Sequence, residues 1–506
     1  MRVGPEYARM NVDIDVRPGE TVTAPTANDR HSRLSTGLQF GYGLGQLLDG
    51  ASSNAINIFL LFYLTAVCGL SGSAAGIAIS AGLVIDAVAD PVIGFFSDGW
   101  RSRWGRRLPF MLTAVLPASI SLVLLFSLPK SVGGTALFWL VMLVSLLLRL
   151  SISLFNLPYL ALGAEITDNH KERMTIAAWR WGLGMAAGLT AVALGFGVFL
   201  KGPGGLMQRD AYSAFGLACA TLMAIGAIVS IVVGHRLRGR MHEGIQATGG
   251  NFANFIAGVI ELFKNASFRA LFASAILFFV SLGLSLSLGL HANTFFWHLE
   301  TNETQLVTLS LFVGLLLGAP LAGLFGRFEK RTAMIAGWTG MMFALAIPVT
   351  LRLLGLLPLT HMPLAELLAG VSLFSGAMGS IVAVAFGAMM ADAADEHEYL
   401  FQIRREGLYF AGWSFAAKTS AGIGTLLAGL ILEFIGFPKD IAAAGGTHAN
   451  LAPRTIELLG ICVGPGTAAI GLAGIVVMFG YRLNRRRHAE ILLSLAERRI
   501  GHAART

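Results

Sequence analysis

Apolar runs long enough to span a bilayer alternate with short polar breaks from residue 37 to residue 481. A helix needs about 20 consecutive apolar residues to cross the hydrocarbon core. Twelve runs meet that length: 37–66, 71–98, 108–128, 135–165, 175–200 and 212–235, then 268–297, 304–326, 332–354, 362–391, 405–436 and 456–481. The pattern predicts an all-α membrane protein whose twelve transmembrane helices fall into two six-helix halves. Its units are a flexible tail over 1–36, a first half over 37–235, a central loop over 236–266, a second half over 267–483 and a basic tail over 484–506. Within the central loop, residues 252–260 read as an amphipathic helix at the membrane surface.

Composition supports this reading. Hydrophobic residues make up 55% of the chain and charged residues 13%, where a soluble domain carries about 25% charged. The net charge of +8 does not imply nucleic acid, because the basic residues cluster at span ends. Lys and Arg concentrate in loops on the side of the amino terminus, and that bias places both termini in the cytoplasm, which requires an even number of spans. Met1–Ser35 has no apolar core of a signal peptide, so no cleavable leader is expected. The three cysteines lie far apart without metal spacing and read as packing residues. With no nucleophile–base constellation, metal box or nucleotide loop in view, neither an enzyme nor a bound cofactor is expected.

Charges inside the spans carry the chemistry. Asp86 and Asp90 are spaced i, i+4, so a helix sets both carboxylates on one face, one turn apart. Asp49, Arg149, Arg180 and Lys418 also lie within spans, and Asn156 follows Arg149 by two turns. An acid at the bilayer centre costs on the order of 2.5–3.5 kcal/mol on insertion scales and usually marks an ion or substrate path. Two adjacent carboxylates repel, so the pair attracts a proton or a metal ion. A lysine at 418 competes for the same carboxylates when that cation leaves, which links ion binding to a conformational change. A purely structural alternative is buried ion pairs that fix helix packing, although such pairs are weak stabilisers beside apolar isosteres.

At the span ends, Asp98 with Arg101, Arg103, Arg106 and Arg107 reads as a gate, since such pairs form in one state and release in another. Glu165, Arg173, Asp392, Asp395, Arg404 and Arg405 are expected to complete one network with them. Topology alone also explains the arginines, but not Asp392 and Asp395. His291 and His298 receive no role. Arg485, Arg486 and Arg487 read as a topology signal or a contact with anionic lipid.

Gly94-Phe95-Phe96-Ser97-Asp98 leading into Arg103-Trp104-Gly105-Arg106-Arg107 resembles the loop motif of the major facilitator superfamily. Asp86-Ala87-Val88-Ala89-Asp90-Pro91 with Arg101–Arg106 is similar to the glycoside–pentoside–hexuronide:cation symporters, the melibiose permease group. Three further stretches agree: Asn156-Leu157-Pro158-Tyr159 with Ala164-Glu165; Glu172-Arg173 with Arg180; and Asp392-Ala393-Ala394-Asp395 leading to Arg404-Arg405-Glu406-Gly407 and Lys418. The resemblance covers residues 37–487. It implies a major facilitator fold and alternating access. It also implies a cation site at Asp86 and Asp90 with Ser153 as a hydroxyl ligand, a sugar-binding acid at Asp49, and cavity bases at Arg180 and Lys418.

Two departures sharpen the expectation. Sodium-using members carry an asparagine where this chain has Ala89; losing that oxygen favours a proton as coupling ion. The family's second sugar-binding acid is here Asn156, and Arg149 adds a positive charge. Together they shift the cavity from a neutral glycoside toward a uronide, a sulfonated sugar or a lysolipid, unless Arg149 simply pairs with Asp49 or Asp86. The expected protein is a monomeric, multi-pass symporter of a bacterial inner membrane that imports a sugar-like or anionic small solute, with the bilayer and not nucleic acid as its partner. A lysolipid transporter of the same superfamily is the alternative, and a non-transporting receptor or assembly partner stands further off.

Overall fold

The computed structural model describes residues 34–503 except 101, 168, 203, 238–257, 259, 325–327, 404, 440, 443–445 and 447–450. The proposed surface helix at 252–260 falls almost wholly outside the described residues. Ten described helices are long and apolar enough to cross a membrane. Two more complete the dozen. The first, α1, is a continuous run over residues 36–67 in which α segments Thr36–Gly43 and Leu47–Ala55 are joined by a tighter turn at Leu44–Gln46 and followed by wider turns at Ile56–Leu60 and Tyr63–Val67. The second, α2, is Gly72–Gly99 and carries the acid pair.

The remaining spans are α3 (Leu108–Phe126), α4 (Gly134–Glu165), α5 (His170–Leu194, extended by a turn at Gly195–Phe199) and α6 (Arg209–Arg236) in the first half. The second half holds α7 (Ala266–His291, extended at Ala292–Phe296), α8 (Thr301–Leu324), α9 (Lys330–Leu353), α10 (His361–Phe401), α11 (Glu406–Phe434) and α12 (Pro453–Ile461, Cys462–Gly466 and Thr467–Met478). Polar caps set several starts. The Ser71 side chain accepts from Ala74 N before α2, and Asn265 Oδ1 accepts from Ser267 N and Phe268 N before α7, satisfying amides that a helix start leaves open.

Three boundaries differ from the sequence reading. Helix α10 runs ten residues past the expected end at 391 and stops where Gln402 adopts a left-handed φ of 60°. Asp392 and Asp395 are therefore helical and not part of a loop; the small, polar run Ala391–Glu398 has no proline or glycine to end the helix. Helix α5 starts earlier, at His170, so Lys171 and Arg173 lie in its first turn. The basic tail folds into a thirteenth helix, α13, at Arg485–Ala503. Ile491 and Leu495 of α13 are buried while Leu492 and Leu493 are exposed, an amphipathic face that the arginines had masked.

The apolar interior forms two cores. One unites the first half with the ends of α7, α8, α10, α11 and α12 farthest from the termini. The other fills the terminal-side end of the second half, including Phe268, Trp338, Phe386 and Tyr409, and takes in α13 through Ile491 and Leu495. The halves thus share a core at the face opposite the termini. There α2 and α11 approach backbone to backbone: a Cβ built on Gly72 would strike the Gly429 carbonyl, and one on Gly76 would lie 3.1 Å from Gly429 Cα. Ser73 N donates to Glu433 Oε2 at 3.0 Å, Ala442 N to Ala66 O at 3.0 Å, and Thr301 Oγ1 to Gly202 O at 3.2 Å.

Candidate functional site

Helix geometry puts the acid pair in place. Asp86 and Asp90 lie one turn apart on α2, and Asp86 is 3% exposed. Arg149, Ser153 and Asn156 follow at i, i+4 and i+7 on α4, which places them on one face. That face meets α2. Ser153 Oγ is within hydrogen-bond reach of Asp86 Oδ1 and of Asp90 Oδ1, the latter at 2.7 Å. From the other half, Lys418 of α11 reaches across with Nζ 2.6 Å from Asp90 Oδ2 and 3.2 Å from Asp86 Oδ2. Four side chains from three helices and both halves therefore form one cluster, and Lys418 is the tie between the halves near mid-membrane.

Arg149 is buried at 7% exposure, its stem lying over Gly82 of α2, where an added Cβ would sit 3.1 Å from Arg149 Cγ. Asp86, then Asp49, are the acids whose fields act on it, yet Arg149 makes no hydrogen bond or ion pair among the described residues. Asp49 instead accepts from Gln46 Nε2 and Ser53 Oγ, each at 3.2 Å, on its own helix. Arg180 lies 5.0 Å from the centre of the Tyr159 ring. Tyr159 is fixed in turn through its hydroxyl, which donates toward the carbonyls of Tyr42 and Gly43 at 3.0 and 3.2 Å. Arg180 Nε and Asn156 Oδ1 are buried with no partner among the described residues. A buried guanidinium and two orphaned polar atoms in one half are unusual, since such atoms are nearly always paired.

Among the described residues the terminal-face charges form separate groups. Arg106 Nη2 and Arg107 Nη2 both donate to Glu165 Oε1 at 2.7 Å within the first half. In the second half, Lys330 Nζ lies 2.7 Å from Asp392 Oδ2, and His488 Nε2 of α13 lies 3.1 Å from Asp395 Oδ2 and 3.6 Å from Asp392 Oδ1. Arg405 pairs with Glu261 at 2.8 Å. Arg173 Nε donates to the Thr167 carbonyl at 2.7 Å, and Arg103 is exposed. Arg101, Arg404 and the side chain of Asp98 lie outside what the structure describes. None of these pairs bridges the two halves. Among the described residues the network expected from sequence is divided: Glu165 meets bases of the first half, whereas Asp392 and Asp395 meet Lys330 and the tail's His488.

Sequence reasoning gave no role to His488 or His291. His488 hides in a basic run, with only the amphipathic spacing of Ile491 and Leu495 to signal docking. His291 is fully buried, and its Nε2 lies 2.9 Å from Thr65 Oγ1 across the interface between α7 and α1.

Comparison with known proteins places this geometry. Residues 41–485 match the family described as MFS/sugar transport protein. The chain belongs to that family. Its symporter relatives include the inner membrane symporter YicJ of Escherichia coli (strain K12), 24% identical over 83% of this chain and 86% of that one. The glucuronide carrier protein homolog of the same organism is 26% identical over 93% of this chain and 97% of that one. Among solved structures, the xylose transporter XylE from E. coli in an inward open conformation superposes with a TM-score of 0.60 at 13% identity, covering 91% of this chain and 99% of that one, a likeness of fold. This symporter is thus a multi-pass membrane protein of the glycoside–pentoside–hexuronide group with the major facilitator fold. The family and its relatives are transporters, not enzymes.

Proposed function

We propose that the protein is a secondary active symporter in which a proton on the Asp86–Asp90 pair drives uptake of a small sugar-like solute carrying an acidic group. The observation that carries this reading is the cluster of Asp86, Asp90, Ser153 and Lys418 between the halves. With both acids ionised, the Lys418 ammonium is held by two carboxylates and ties the halves together. A cation arriving at the pair removes charge and weakens that tie, so ion binding biases the rocking of one half on the other.

One detail supports a proton: Ala89 offers no oxygen to complete the shell that sodium requires. Arg149, Arg180, Asp49 and Asn156 form the solute side of the site in this reading. Arg149, buried without a direct partner, favours an anionic group, because a buried charge is best held by a close, hydrogen-bonded counter-charge. The terminal face is taken as cytoplasmic from the Lys and Arg bias, and the shared core at the opposite face supports a state open toward the cytoplasm. The inner membrane of a bacterium and a monomeric unit complete the proposal.

Proteoliposome uptake with a panel of neutral and acidic sugars, under imposed proton or sodium gradients, tests it. Accumulation of an acidic sugar that follows the proton gradient is expected. Accumulation indifferent to both gradients would remove the symport reading, and dependence on sodium alone would remove the proton.

A further inference from the structure

His291 is fully buried at the end of α7, inside the core that the halves share at the face opposite the termini. Its Nε2 lies 2.9 Å from Thr65 Oγ1 of α1, so one polar contact joins the halves within an apolar seam. Phe62 of α1 and Phe437 after α11 cover the ring, with centres 5.0 and 5.3 Å away. On α7 itself the Ser287 carbonyl is the polar group that acts on it. Neutral oxygens therefore face the imidazole, and among the described residues no charged side chain exerts a field on it.

The titratable groups of the neighbouring elements are engaged elsewhere. Tyr63 and Cys68 of α1 act on each other. Glu433 at the end of α11 is exposed and accepts from Ser73 N, Lys418 of α11 holds the acid pair, and Lys439, Arg454 and Glu457 are exposed.

We propose that His291 and Thr65 form an acid-released latch at this face: the neutral imidazole holds the halves together, and protonation of His291 favours their parting. An imidazolium in this seam would be buried without a counter-charge, which strongly disfavours it. Parting withdraws Phe62 and Thr65 with the first half and lets water reach the ring, where a histidine takes up a proton near pH 6.5. The parted state then binds one more proton than the closed state, so acid draws the equilibrium toward it. Well above that pH both states hold the ring neutral and the latch stays shut. The latch rests on the reading that the halves rock, and not on which ion or solute crosses.

Double electron–electron resonance tests it, with spin labels carried on encoded amino acids in place of Ser131 and Thr360, exposed positions of opposite halves at this face. The full chain is measured in phospholipid nanodiscs without solute from about pH 8 to about pH 5, either side of the histidine range. The ratio of parted to closed molecules is expected to rise by up to roughly 30-fold, the gain for one group near pH 6.5 that stays neutral in the closed state. His291→Gln is expected to remove that rise. So is His291→Phe, which keeps a ring beside Phe62 and Phe437 and decides the matter if the glutamine variant misfolds. Any response that belongs to Asp86 and Asp90 survives both variants and is read separately, and Glu433→Gln is expected to leave the rise in place. A ratio that does not change with pH in the unaltered protein overturns the proposal. So does a rise of equal size in His291→Gln and His291→Phe, and so does its loss in Glu433→Gln. Because neither gradient nor solute is used, failure of proton-driven uptake leaves this result standing.

Discussion

Away from the ends of its spans the first half carries Asp49, Asp86, Asp90, Arg149 and Arg180, and it leaves polar atoms of both arginines without partners among the described residues. The second half contributes Lys418 to the centre and otherwise presents an uncharged cavity of hydroxyls, an amide and aromatic walls. Both halves use the same helical architecture, yet charge is concentrated in one and excluded from the pocket of the other. The difference teaches that two halves of like architecture can differ sharply in where they keep charge: one gathers acids and guanidiniums, and the other reaches that cluster with a single lysine.

The strongest way to break this asymmetry is Asp90→Asn. It removes the closest acid partner of Lys418, and concentrative uptake is expected to fall on the order of 100-fold, the upper range of a coupling energy. Uptake assays beside a measure of membrane insertion check it, and unchanged accumulation in an inserted protein would return the pair to a packing role. Next in size is Gly429→Val, which drives a side chain into the α2 backbone at the seam. Overpacking of this kind costs about 1–3 kcal/mol, so spin-label distances across the face opposite the termini should lengthen in most molecules.

Arg149→Gln sharpens the comparison from the solute side. Uptake of an acidic sugar is expected to drop about tenfold, or 1.4 kcal/mol, with a neutral glycoside little affected. Equal losses for both would make Arg149 a packing residue. The smallest effect belongs to His488→Gln in the second half. Its contacts with Asp392 and Asp395 are partly solvated and are worth no more than about 1 kcal/mol. Amide exchange over residues 485–503 should accelerate several-fold while uptake holds; unchanged exchange would show that Ile491 and Leu495 alone dock the helix.

Twelve spans were legible in the sequence because bilayer thickness imposes a length on every apolar run. Asp86, Asp90 and Lys418 were legible because their cost in a bilayer singles them out, and the structure brings them together with Ser153. At the terminal face the meeting of Glu165 with Arg106 and Arg107 was legible, and the remaining pairs were not. Lys330, Glu261 and His488 are ordinary surface residues by type, and only the three-dimensional course of α10 and α13 sets them against Asp392, Asp395 and Arg405. The uncharged cavity was equally hidden. Serines and an asparagine spread from residue 285 to 375 carry no periodic signal, and only the fold brings them to one lining.

The glycine seam between α2 and α11 has a consequence for speed. Interdigitated side chains would have to be withdrawn one by one before the halves could part, and each would add to the barrier. Gly72, Gly76 and Gly429 present nearly smooth surfaces, so separation there is closer to peeling than to unlocking. On the proposed mechanism the timing of the transport cycle rests with Lys418 and its two carboxylates, and the seam follows.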